Sequence, residues 1–225
     1  MKKTFLILFV FLSLGFASMA SAKEQNKILS DLEARYQNIK SWQADFEQKS
    51  RIEVLDQTLT KRGSIKVVRP NSMRIEYETE PRKIYLFKDK MLLVYQPETE
   101  SAQKFKAPDK LIGREALSFL SGLNDISNLF EVIVDLKEAE GFFKIEDPRL
   151  KIVGLVPKDE NSQLLRLTLG IDPKTLTLQE AVLFNASGNV SHYRFSNVEF
   201  DKQIDETNFA LPKNEKIKIT TGGEI

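Results

Sequence analysis

The chain has 225 residues, no cysteine, and 33 basic side chains against 32 acidic ones. The lack of cysteine excludes disulfides and lipid attachment through an N-terminal cysteine, so an exported fold must rest on its core alone. With Lys2 and Lys3 set aside, 31 basic residues face the 32 acidic ones, a balance that argues against nucleic acid as a partner because neutralising phosphates takes a basic surplus.

Met1-Lys2-Lys3, an apolar run from Phe5 to Phe16 and the small residues Ala20-Ser21-Ala22 have the three parts of a secretory leader. The run is too short to span a bilayer, and no later apolar stretch approaches the required length of about 18 residues. The expected division is therefore a signal peptide over 1–22, cleaved after Ala22, and a single exported domain over 23–225. From Asn26 to Asn38, with Ile39 just beyond, Ile28, Leu29, Leu32, Tyr36 and Ile39 recur at three- and four-residue steps, the stripe of an amphipathic helix.

From Trp42 the pattern becomes strand-like. Ile65 and Val67, then Met73, Ile75 and Tyr77, then Val132, Val134 and Leu136, then Leu165, Leu167, Leu169 and Ile171 alternate with period two, as strands with one buried face do. Turn formers such as Arg69-Pro70-Asn71, Glu80-Pro81, Asp172-Pro173 and Ser187-Gly188-Asn189 separate the runs at hairpin spacing. About ten or eleven strands, joined mainly as an antiparallel meander, make a mainly β fold whose sheet must curl or split. Ile84–Phe87, Met91–Tyr95 and Ala181–Phe184 are apolar on both faces and need cover on both. Helices are the candidate cover: Asp109–Leu120, with Leu111, Ile112 and Phe119, and a shorter piece from Asp125 to Phe130.

The parts of most enzymes are missing. The single His, His192, falls in an expected strand from Val190 to Phe200 and reads as an ordinary packing or surface residue. No phosphate loop, H-E-x-x-H or G-x-S-x-G occurs, and spacings such as Asp135 with Glu138 arise by chance among 32 acids. The expectation is a protein that is not an enzyme and carries no metal or cofactor. What stands out is apolar surface, with fifteen Phe, five Tyr and one Trp. These either fill a solid core or line a hollow between a curved sheet and its helices.

The order of motifs resembles the outer-membrane lipoprotein carrier (LolA) family. Trp42-Gln43-Ala44-Asp45-Phe46-Glu47-Gln48 is similar to that family's aromatic-x-A-x-F-x-Q strand. Gly63 through Arg69-Pro70 and on to Tyr77 resembles its G-x-[apolar]-x-x-x-R-P signature. Asp89–Pro97 resembles the hairpin ending in Tyr-x-Pro, and Asn208-Phe209-Ala210-Leu211-Pro212 resembles the closing F-x-x-P segment. Met73, Ile75 and Leu93 stand where the family carries Phe, Trp and Trp.

The resemblance implies an antiparallel, strongly curved incomplete β-barrel under a lid of two or three helices, enclosing a hydrophobic cavity. It implies a monomeric carrier of acylated lipoproteins, placed in the periplasm and working between an inner-membrane ABC transporter complex and an outer-membrane receptor. A same-fold protein that carries another lipid or senses lipoproteins is the alternative. On this basis Arg69, with Pro70 fixing its turn, would close the lid, and Trp42, Phe46, Met73, Ile75, Tyr77, Leu93, Tyr95, Leu111, Ile112 and Phe119 would line the cavity. The chain ends soon after Ile219, so the additional C-terminal strand of some members is expected to be absent.

Overall fold

A computed structural model describes residues 8–106, 123, 126–133 and 143–221, with side chains from Lys23 onward. Among the described residues, helix α1 (Leu8–Gln37) leads into twelve strands. They are β1 (Ser41–Ile52), β2 (Gln57–Val68), β3 (Ser72–Tyr77), β4 (Lys83–Lys88), β5 (Met91–Gln96), β6 (Ser101–Lys106), β7 (Phe130–Ile133), β8 (Lys151–Pro157), β9 (Leu164–Asp172), β10 (Thr177–Asn185), β11 (Val190–Phe200) and β12 (Lys218–Thr221). All belong to one sheet in the order β12-β6-β5-β4-β3-β2-β1-β11-β10-β9-β8-β7, whose two end strands do not pair with each other. Every pairing is antiparallel except β12 beside β6. No helix of the described residues is long and apolar enough to cross a membrane.

The pairing of β1 with β11 folds the two halves of the meander around a shared interior. Ile65 and Ile75 on one half join Val153, Leu155, Leu167 and Leu169 on the other in a single apolar cluster. The stripe read from the sequence closes this interior. Leu29, Leu32, Tyr36 and Ile39 are buried in the cluster, and α1 packs against β7 and β8. The expected helix Asp109–Leu120, and with it Leu111, Ile112 and Phe119, lies outside the described residues. The third expected helix is one short turn, Ile126–Leu129, because Phe130 already opens β7.

The two-faced strands are covered differently from the sequence-based expectation. On the outer face of β4, β5 and β6, Ile84, Leu86, Tyr95 and Ala102 pack with Leu93, Leu211 and Ile217, so among the described residues the cover there is the C-terminal segment. On the outer face of β10 and β11, Val182, Val190 and Phe184 pack under Phe143, Ile145 and Leu150 of the segment before β8. The C-terminal strand expected to be absent is present as β12, where Ile219 lies beside Ala102. Leu165, placed inward by alternation, is exposed while Leu164 is buried, because the register slips at the β9–β10 pairing between Phe184 and Asn185.

Candidate functional site: an apolar trough under helix α1

The inner face of the sheet is built from residues two apart on neighbouring strands. Trp42, Ala44 and Phe46 of β1 stand opposite Val67, Ile65 and Gly63 of β2. These in turn oppose Met73, Ile75 and Tyr77 of β3. Gly63 is required here, since a Cβ would sit 2.0 Å from the Glu76 carbonyl oxygen and 2.8 Å from the Phe46 ring. The missing side chain leaves room for that ring, which meets Tyr77 edge-on at 5.3 Å.

The trough grades from apolar to hydroxyl-rich along β1. Past Phe46, the Tyr77 hydroxyl donates to Gln48 Oε1 (2.8 Å), and Gln48 Nε2 donates to Ser50 Oγ (2.7 Å). Tyr193 stacks on Phe195. Burial pushes the Tyr77 and Tyr193 hydroxyls well above the usual tyrosine range, so both stay protonated. At the other end Tyr36, Trp42, Ile65, Leu123, Leu178, Phe195 and Val198 line a crevice of about 10 Å³, roughly room for one water molecule. The Tyr36 hydroxyl accepts from the Leu178 N–H at 3.3 Å, and burial raises its pKa to about 12.

Helix α1 is tied to the sheet by polar contacts at its margins. Arg69 Nη1 donates to the Gln37 carbonyl (3.3 Å), in the last turn of α1, and the Arg69 N–H donates to the Lys40 carbonyl (2.9 Å). Partial burial lowers the guanidinium pKa, with Asp201 and Tyr36 opposing the shift. A cation there also suits the negative end of the helix dipole. Pro70 shares the Arg69–Asn71 turn between β2 and β3 and is exposed. Further along, Glu33 accepts from the Ser127 N–H (2.7 Å) and hydroxyl, Gln25 Oε1 accepts from the Gly154 N–H, and Lys151 pairs with Glu24 at 2.6 Å.

Of the residues read from sequence, Trp42, Phe46, Met73, Ile75 and Tyr77 come together on the inner face. Leu93 and Tyr95 do not. They pair with Leu86 and Ile84 on the outer face, because β5 is apolar on both sides and alternation cannot say which side turns in. The crevice also takes Leu178, Phe195 and Val198, which the sequence did not single out. Phe195 and Val198 reach Trp42 through the β1–β11 pairing and Leu178 through β10 beside β11, all more than a hundred residues away along the chain. His192 lies on the other side of β11, buried, with Nε2 at 2.6 Å from Glu180 Oε2 and its ring against Phe143.

The family model for the outer membrane lipoprotein carrier protein LolA matches residues 37–212. The chain belongs to the LolA family. The match runs from the end of α1 through the F-x-x-P segment, which includes the whole β1–β11 frame of the trough. No curated protein sequence matches the chain. Among solved structures, an uncharacterized conserved protein from Thermus thermophilus superposes with a TM-score of 0.51 at 14% identity, over 88% of this chain and 99% of that one. A LolA superfamily protein from Nitrosomonas europaea gives 0.44 at 12% identity, over 83% and 97%. A DUF1329 family protein from Desulfovibrio piger gives 0.48 at 11%, over 84% and 97%. The Thermus likeness shows a shared fold and nothing finer.

Proposed function

We propose that the protein is a non-enzymatic periplasmic carrier that takes the acyl chains of lipoproteins between α1 and the inner face of its sheet. It would shuttle them from an inner-membrane ABC transporter complex to an outer-membrane receptor. The observation that carries this reading is the trough itself, an inner face that is apolar around Trp42, Phe46, Ile65, Met73 and Ile75 and shares one cluster with the apolar stripe of α1, a helix that packs on β7 and β8 and is tied down by polar contacts. A crevice of about 10 Å³ is far smaller than an acyl chain, so cargo enters as α1 lifts. Burying acyl chains yields about 0.8 kcal/mol per CH2. Exposing Leu29, Leu32 and Tyr36 and breaking the ties of Arg69 and Glu33 offsets part of that gain, which leaves cargo bound firmly enough to cross water and loosely enough to be released.

The test is co-elution. Protein purified after export through its own leader, mixed with a triacylated lipoprotein in detergent-free buffer, should elute with it as a soluble one-to-one complex, whereas the same lipoprotein without acyl chains should elute alone. Failure to keep the acylated form soluble would refute the carrier role. Uptake of free phospholipid to the exclusion of lipoprotein would point to a same-fold lipid carrier.

A further inference from the structure

Seven side chains line the crevice beside α1, and five of them carry no polar atom. The other two, Tyr36 and Trp42, are both donors. The indole Nε1 of Trp42 is fully buried and has no acceptor among the described residues, in a residue only 7% exposed. The Tyr36 oxygen already accepts from Leu178 N–H, and no described residue takes its proton. A buried donor without a partner costs free energy comparable to a lost hydrogen bond, and native proteins keep few of them. This one lies where a carrier of acyl chains would meet its cargo. A purely alkyl ligand would leave the cost in place, whereas an acceptor oxygen on an otherwise apolar ligand would remove it.

Resting on the carrier reading, we propose that the Trp42 N–H is an anchor for the carbonyl oxygen of an acyl ester or amide, with the Tyr36 hydroxyl as a second donor to the same oxygen. The trough then recognises acylated groups, and not hydrocarbon in general. The carbonyl fixes how far each chain slides into the trough. The crevice has room for an atom of that size, and the methylenes follow along the apolar inner face.

Trp42 is the only tryptophan, so its indole gives a single N–H resonance and a single fluorescence signal. The test compares 1-monopalmitoylglycerol with its ether analogue, 1-O-hexadecylglycerol, which has the same headgroup and no carbonyl. The ester should bind about three- to tenfold more tightly, the range of one neutral hydrogen bond, and should shift the indole N–H resonance downfield where the ether does not. Trp42→Phe, which keeps an aromatic ring and loses the donor, should abolish the preference, so that ester and ether bind that variant equally. Equal binding of the two ligands with no difference at the indole would overturn the anchor and leave the carrier reading intact. A preference that persists in Trp42→Phe would overturn it as well. If neither ligand binds, the carrier reading itself fails.

Discussion

At Gly63 the inner face leaves no space for even one added carbon. Alanine there would push a Cβ against the backbone of β3 as well as against Phe46, and backbone cannot step aside as a flexible side chain can. Gly63→Ala should cost about 3 kcal/mol, at the upper end of overpacking, read as a lowered denaturation midpoint in urea. Arg69→Leu removes the bond to the Gln37 carbonyl, worth about 1 kcal/mol at a partly exposed site. The loosened helix should bind cargo more tightly and hand it on poorly, which a release assay against acceptor membranes would show. His192 gives a pH test. Burial depresses its pKa below the ordinary 6.5, with the Glu180 contact opposing and Arg194 and Lys49 assisting. A histidine harder to protonate folded than unfolded contributes stability that is complete above pH ~6.5 and is lost as pH falls through the folded-state value. Thermal melts between pH 7 and 5 should therefore decline, and His192→Gln should flatten that decline. Some of these residues were legible beforehand. Gly63, Arg69 and Phe46 sit in local motifs. The Glu180 partner of His192 was not legible, since strand pairing alone brings the two together.

At the scale of elements, periodicity served well wherever one face was wet. The α1 stripe agrees with the structure because it repeats a single buried face, and the β11 bounds agree as well. It failed for β5, where both faces are apolar and the side that turns inward depends on the hairpin to β4. It also missed what covers the outside. The F-x-x-P segment looked like a closing motif without a task, yet Phe209 is buried in a 3-10 turn, Glu206–Phe209, that docks on β3 and β4. Arg74 donates to the Asn208 carbonyl at 3.1 Å, and Leu211 and Ile217 continue the cover over β4 to β6. Phe209→Ala should therefore destabilise the protein by about 3 kcal/mol, a typical cost for a buried Phe. It should also raise binding of a hydrophobic dye as the outer apolar face is uncovered, while leaving acyl binding on the inner face unchanged. A variant that lost acyl binding and kept its stability would contradict the separation of the two faces.

The whole molecule joins a stiff frame to a fastened cover. The β1–β2 and β1–β11 ladders run nearly the full length of β1, and the trough lies along them. The cover is a helix whose apolar face completes the core while its polar contacts through Glu24, Glu33 and Gln37 sit at solvent-exposed margins and the Gln25–Gly154 bond is buried. Exposed contacts of this kind are individually weak, which is why the proposed route for cargo opens the helix and leaves the sheet in register. Hydrogen exchange of the protein, with and without a triacylated lipoprotein, tests this most directly. Cargo should speed exchange of the amides in the last turns of α1, around Glu33 to Gln37, while those of β1, β2 and β11 stay protected or gain protection. A bound complex in which α1 keeps its full protection would contradict entry of the acyl chains beneath that helix.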